Sequence, residues 1–431
     1  MKTLFKSADI LVKDEKFNVL ENAFLVVDAD KISYIGKEKP KGIFDEVKDM
    51  SGKLLMPGLI NCHNHCPMVL LRGVGSDLPL QQWLFDTVFP IEDRLTAEEI
   101  KAGSELALLE MISNGTVSFS DMYFEPEMTI RAVAESGMKA NITRPVQSFD
   151  PNETPSQSYR MKEAIELYEK YNNTFDGRVL IDFCIHAEYT CTETIARAFI
   201  EEVNERKGNL HIHLSETKKE HDECVEKYGK TPAEWFDCLG GFDSSAFAAH
   251  CVWLTESDMD LFRRKGVSVV HNPTSNMKLA SGFAPVQKMI DMGINVAIGT
   301  DGASSNNNLD MFEEMHIASI IYNGYTLDAT AMKADTVLET ATVNGAKVQR
   351  RVNCGELKVG NKADIIAISL DAPHMVPALD KKALLTYSAQ SSDVVMNMVD
   401  GKILYENGEY KTLDKEKIYY DVNKAVDKLY K

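Results

Sequence analysis

The densest run of chemistry-bearing residues is His63-Asn64-His65, which follows the apolar run Leu59 to Asn61. In an extended segment residues i and i+2 point to one side, so both imidazoles can converge on a single point. Leu210-His211-Ile212-His213-Leu214 offers a second pair at the same spacing. His213 lies nearer the C-terminal end of that run and is taken as a ligand, with His211 in a deeper supporting role. His250 and His271 end two further apolar runs, and Asp301 ends another in Gly299-Thr300-Asp301-Gly302. Taken singly, each reads as a hydrogen-bonded core histidine or a turn aspartate. Their agreement is what carries weight, since four strand ends all supply a ligand or an acid–base group.

His63, His65, His213 and Asp301 make a three-nitrogen, one-oxygen set that suits a divalent metal with one position open to water. A second metal would need a bridging anion such as a modified lysine on the fourth strand. That strand ends Ile185-His186-Ala187, so a mononuclear site is expected. Glu216, three residues past His213, can face the same pocket. A general acid there protonates a ring nitrogen while a metal-activated water attacks the neighbouring carbon. By itself Glu216 reads equally well as a helix-start carboxylate, because Ser215-Glu216-Thr217 precedes a charged helical stretch.

The elements that must hold these residues are legible. Eight short apolar segments lie near residues 59–61, 116–120, 139–143, 179–185, 210–214, 246–253, 267–270 and 294–298. Amphipathic stretches separate them, with recognisable ends: Thr96 and Glu99 form a capping box, and Asn114-Gly115 is a stop. Eight strand–helix units over residues 57–352 predict an α/β fold, a TIM-type (β/α)8 barrel with its site at the C-terminal mouth of the strands. The flanks, residues 1–56 and 353–431, carry short β-like runs without intervening helices, and Asp400-Gly401 marks a hairpin. Both ends are expected to join into one small β-sandwich domain, followed by a terminal helix from Lys415 to Lys431.

Composition narrows the function. The 431 residues carry 47 basic and 65 acidic side chains, a formal net charge of −18, which disfavours a grip on phosphate backbones or anionic lipid. Hydrophobic residues at 44% and charged ones at 26% are globular proportions. No apolar run is long enough to span a bilayer, the N-terminus lacks a signal-peptide core, and the eight cysteines form no CxxC pair. The expectation is a cytoplasmic protein with reduced thiols and no nucleic-acid or membrane partner. The sequence leaves oligomeric state open, a homo-oligomer included.

The elements Met56-Pro57-Gly58-Leu59-Ile60-Asn61-Cys62-His63-Asn64-His65, His213-Leu214-Ser215-Glu216-Thr217, Ala249-His250-Cys251, His271-Asn272-Pro273 and Gly299-Thr300-Asp301-Gly302 together resemble the amidohydrolase superfamily, in order and spacing over essentially the whole chain. The segment Gly355-Glu356-Leu357-Lys358 with Gly360, Ala363 and Asp364 is similar to its closing β motif. The His-Leu-Ser-Glu-Thr run, Trp83 and Phe89 to Thr96 resemble its 5′-methylthioadenosine/S-adenosylhomocysteine deaminases. That resemblance implies one Zn2+ per subunit on His63, His65, His213 and Asp301, with Fe2+ or Mn2+ as alternatives. It implies catalytic roles for Glu216, His250 and Asp301. It also implies a small-molecule nucleoside substrate, with Glu92 on the ribose hydroxyls, His186 and Glu216 on the purine, Trp83 lining the pocket and Ser305 near the base. Arg144 and Arg160 fall to the distal part of the nucleoside. Without the family, Trp83, Glu92 and Arg160 read as a core residue, a surface charge and a helix start.

The implied reaction is hydrolytic deamination of a 5′-modified adenosine to the inosine analogue and ammonia. The same metal shell would serve hydrolysis of another ring, as in a guanine or cytosine deaminase or a triazine hydrolase. A non-catalytic scaffold need not keep a full ligand set. The unrelated H-x-E with P-C-x-x-C deaminase pattern is absent.

Overall fold

The computed structural model describes residues 1–430, and Lys431, the last residue of the expected terminal helix, lies outside them. The first 57 residues form β1 (Lys2–Lys13), β2 (Phe17–Asp28), β3 (Lys31–Gly36), β4 (Glu46–Asp49) and β5 (Lys53–Pro57). The parallel strands follow: β6 (Leu59–Asn64), β7 (Thr116–Met122), β8 (Lys139–Thr143), β9 (Pro145–Val146), β10 (Val179–Ile181), β11 (Phe183–Ile185), β12 (Asn209–Leu214), β13 (Ser245–His250), β14 (Ser268–His271) and β15 (Val296–Ile298). Four antiparallel strands close the chain's sheet structure: β16 (Ile365–Ser369), β17 (Val394–Val399), β18 (Lys402–Glu406) and β19 (Glu409–Tyr410).

Each of the eight apolar segments becomes a strand. Two are interrupted by one residue, Arg144 between β8 and β9 and Asp182 between β10 and β11. The parallel strands form two ladders, in the orders β10-β8-β7-β6 and β15-β14-β13-β12-β11-β9. Helices follow the strands: α1 (Ala97–Ser113), α2 (Pro126–Ser136), α3 (Tyr159–Tyr171), α4 (Glu193–Glu205), α5 (Lys218–Tyr228), α6 (Glu256–Lys265), α7 (Val286–Asp291) and α8 (Met311–Thr326). The expected capping box, Thr96 with Glu99, starts α1, and the left-handed Gly266 stops α6. This α/β arrangement of parallel strands fits a TIM-type barrel. Where the ladders' outer strands meet, Asn61 and Thr300 exchange hydrogen bonds, and the Asp301 N–H donates to the His63 carbonyl at 2.9 Å. A Cβ on Gly299 would stand 2.7 Å from the His63 nitrogen, so only glycine permits that approach.

The chain ends do join, but in one continuous sheet, ordered β19-β18-β17-β16-β5-β1-β2-β3 with β4 on β1, instead of the two separate sheets that a sandwich implies. The reason lies in β1. Its pairing with β2 shifts register on both sides of Ala8, and Ser7 has a φ of 58°. Such a bulge bends a strand, letting a single sheet fold around its own core of Phe5, Leu25, Ile365 and Met396. The terminal helix α9 (Lys415–Tyr430) packs back on α1. Among the described residues no helix is long and apolar enough to cross a membrane, and no disulfide joins the cysteines.

Lys139 on β8 ties the parallel ladder to the folded sheet. Its ammonium lies 2.6 Å from Asp364 and 2.8 Å from Asp400, with the Lys139 and Asp364 side chains almost wholly buried. Removing one member of a buried pair leaves the other charge uncompensated. Lys139→Met is therefore expected to destabilise the fold by about 3–5 kcal/mol, read as a lower melting temperature. An unchanged melt would mean that this ion pair does not secure the junction.

Candidate active site

The extended backbone of β6 carries His63 into the centre of the strand cluster and leaves His65 at its C-terminal end. His63 is fully buried and His65 partly so. In β12 the same alternation brings His211 and His213 inward, His213 at the mouth. The three rings of His63, His65 and His213 lie with centroids 4.8–5.4 Å apart. Asp301 follows β15 with a φ of 60°, a backbone shape that L residues rarely adopt. That turn aims its Oδ1 at His63 Nε2, 3.4 Å away, and His65 Nε2, 3.1 Å away.

What fixes the rings decides their chemistry. His65 Nδ1 stands 2.6 Å from the Met122 carbonyl and His213 Nδ1 stands 2.8 Å from the His186 carbonyl. A carbonyl only accepts, so each Nδ1 carries a proton and each ring turns its Nε2 inward. Yet His65 Nε2 and His213 Nε2 lie only 3.4 Å apart. A proton or a metal ion shared at that point lets both nitrogens face it. His63 is held from behind by a 2.9 Å hydrogen bond between its Nδ1 and His211 Nε2, and its own Nε2 is buried without a partner. The donor atoms of His63, His65 and His213 all lie within 4.8 Å of one another, as do those of His63, His250 and Asp301. Three inward-facing ring nitrogens, one of them without a hydrogen-bond partner, and a carboxylate are the donor chemistry of a divalent metal.

Around this cluster opens a cavity of about 680 Å³, of a size that takes a small organic ligand. Glu216 lies on its wall, buried, with Oε2 3.8 Å from His250 Nε2 and Ser281 Oγ donating to Oε1 at 3.5 Å. Burial first, and then the negative charge of Asp301, push its carboxyl above the usual carboxylate range. The His250 ring, on a residue with a φ of 70°, is set by Asn276 at 2.9 Å from its Nδ1. Glu92 lines the cavity and accepts a 2.5 Å hydrogen bond from Tyr123. Burial raises it to about 7 despite that bond. Trp83, His186, Arg144 and Arg160 line the same cavity. Burial, then the surrounding imidazoles, lower His186 to about 3, so its ring is neutral near pH 7.

One expected contact is absent from the cavity wall. Ser305, placed near the base by resemblance, is buried behind Asp301 and donates to Asp301 Oδ2 at 2.9 Å. The turn after β15 folds its hydroxyl back toward the carboxylate, so Ser305 holds Asp301 and does not line the cavity. Ser275, with a 2.6 Å bond to the same oxygen, shares that task, and the Gly302 N–H holds Oδ1 at 2.8 Å. Sequence reasoning missed Ser275, Asn276, Ser281 and Tyr123. Ser275 and Asn276 lie just past the His271-Asn272-Pro273 run that was singled out. Ser281 and Tyr123 sit in loops that no local pattern marks.

With this geometry in place, relatives can be compared. The amidohydrolase family model matches residues 54–404. A 5-methylthioadenosine/S-adenosylhomocysteine deaminase of Acetivibrio thermocellus is 43% identical over the full length of both chains. A 5′-deoxyadenosine deaminase of Methanosarcina acetivorans is 41% identical, covering 99% of this chain and 98% of its own. The crystal structure of an adenosine deaminase from Xanthomonas campestris with bound zinc superposes with a TM-score of 0.94 at 30% identity, covering 99% of this chain and 98% of its own. A family match over most of the chain and full-length identities above 40% agree with the ligand geometry: the chain belongs to the amidohydrolase family.

Proposed function

We propose that this protein is a metal-dependent aminohydrolase that converts 5′-modified adenosines, such as 5′-methylthioadenosine, S-adenosylhomocysteine and 5′-deoxyadenosine, to the inosine analogue and ammonia. The observation that carries the reading is the convergence of the His63, His65 and His213 nitrogens with Asp301, beside a buried Glu216 whose carboxyl is pushed above the usual range. The domains follow the same reading: residues 57–352 as a closed barrel, and residues 1–56 with 353–431 as the small β unit.

His63, His65, His213 and Asp301 would hold one Zn2+ ion. When bound, such an ion supplies an activated water near neutral pH. Glu216, whose carboxyl burial pushes upward, gives a proton to the purine nitrogen beside the attacked carbon, which offsets the negative charge that develops on the ring. His250, fixed by Asn276, takes or returns the proton of the attacking water. His186 stays neutral and can hydrogen-bond the purine without repelling a cation. Glu92, held by Tyr123, accepts from the ribose hydroxyls. Arg144 and Arg160 face the 5′ substituent.

The direct test is ammonia release from a panel of adenosine, adenine, guanine, cytosine and 5′-thio-adenosines. Preference for 5′-substituted adenosines is expected, and preference for free guanine or cytosine would promote a base deaminase instead. Replacing His63 or His65 with Ala is expected to abolish both bound metal and turnover, checked by elemental analysis beside the assay. Glu216→Gln is expected to keep its metal yet lose roughly 10²-fold or more in kcat. Normal turnover in that metal-loaded variant would return Glu216 to a structural role. For Glu92 the sign follows from its raised carboxyl. Above about pH 7 it is ionised and accepts from the ribose, and as pH falls through about 7 it gains a proton and loses that acceptor. The kcat/KM for nucleosides is therefore expected to fall below pH 7 in wild type, with this limb flattened in Glu92→Gln.

A further inference from the structure

One wall of the cavity lies away from the ligand cluster and is built by the loop after β9 and the start of α3. Arg144 occupies the single-residue break between β8 and β9, so ladder hydrogen bonds fix the chain on both sides of it. Its side chain is largely buried. Its Nε donates to Glu163 Oε2 at 2.9 Å, and its Nη1 donates to the Pro145 carbonyl at 2.9 Å. The Nε edge of a guanidinium is one of the edges at which it grips a carboxylate by two parallel bonds. Here a carboxylate of the protein's own already sits on it. The Glu163 side chain is half exposed on α3. Arg160 stacks its guanidinium 4.7 Å from the Tyr159 ring centre and makes no ion pair among the described residues. The cavity also carries the carboxylates of Asp93 and Glu125, so these two arginines do not give it a net positive wall.

We infer that Glu163 is a specificity-determining residue: it occupies Arg144 as an internal counter-ion, so an anionic 5′ substituent must compete with it for that guanidinium and neutral substituents are favoured. This rests on the proposed reading of the cavity as a 5′-modified nucleoside site. A methylthio group or a bare 5′ carbon leaves the Arg144–Glu163 pair intact. An amino-acid tail must break it before Arg144 can clamp its carboxylate by the Nε edge, and it then competes with a tethered group that has little translational freedom to lose. The bond broken is a half-exposed ion pair, so the penalty is modest.

Binding in a metal-loaded Glu216→Gln background separates affinity from turnover. Calorimetry would give dissociation constants for S-adenosylhomocysteine and 5′-methylthioadenosine with Glu163 intact and as Glu163→Gln. The affinity ratio of the first ligand to the second is expected to rise about fivefold, the scale of one exposed ion pair, and the gain should vanish when Arg144→Met is added. An unchanged ratio would overturn the inference. So would a fall in the ratio, which is the result if Glu163 instead receives the ammonium of the amino-acid tail. Ammonia release with Glu216 restored is measured in parallel. If neither nucleoside is deaminated, the functional reading fails while the affinity ratio still decides the role of Glu163. If neither nucleoside binds, both fail.

Discussion

The structure is organised around an electrostatic demand: the ring nitrogens of three histidines are brought to one point, 3.4 Å apart in the case of His65 and His213, beside the carboxylate of Asp301. Each ring is locked from behind. Two are pinned by main-chain carbonyls and one by His211. A cation at their meeting point would complete the arrangement and would couple metal binding to the integrity of the strand ends. The same demand accounts for the strained backbone at Asp301. Its left-handed φ brings a carboxylate to the cluster, and Ser275, Ser305 and the Gly302 N–H hold it there.

Burial then assigns the remaining carboxyls their tasks. Glu216 and Glu92 share a cavity and are both raised by desolvation, but their partners differ. Glu216 has only a long contact from Ser281 and faces His250, which suits a group that must release a proton. Glu92 is tied to Tyr123 by a short hydrogen bond, which suits a fixed acceptor at about neutral pH. Two carboxyls in one pocket thus diverge in role through their surroundings, a recurrent arrangement in acid–base catalysis.

Much of this was legible in the sequence because it depends on local periodicity. The i, i+2 spacing of His63 and His65 needs only an extended strand, and the eight apolar segments needed only their bounding turns. Glu216 was found from its distance to His213. Contacts that depend on how distant loops fold were not legible. Ser305 was placed near the base by the family resemblance, but the direction in which the turn after Asp301 coils decides which way its hydroxyl points. Tyr123 gave no signal, since its bond to Glu92 joins a loop to the end of a short helix 31 residues away in the chain. The single folded sheet in place of a sandwich rests on the bend near Ser7, a bulge that alternating hydrophobicity does not reveal. The family resemblance placed Arg144 in the pocket, but only the fold revealed Glu163 already bound to it.

The central claim is that one cation at the His63–His65–His213–Asp301 cluster enables deamination of a 5′-modified adenosine. Titrating the metal-stripped protein with Zn2+ while recording ammonia release from 5′-methylthioadenosine tests it most directly. Activity should start near zero, rise linearly and break at one ion per chain. A break at two ions per chain, or full activity before any metal is added, would contradict the account.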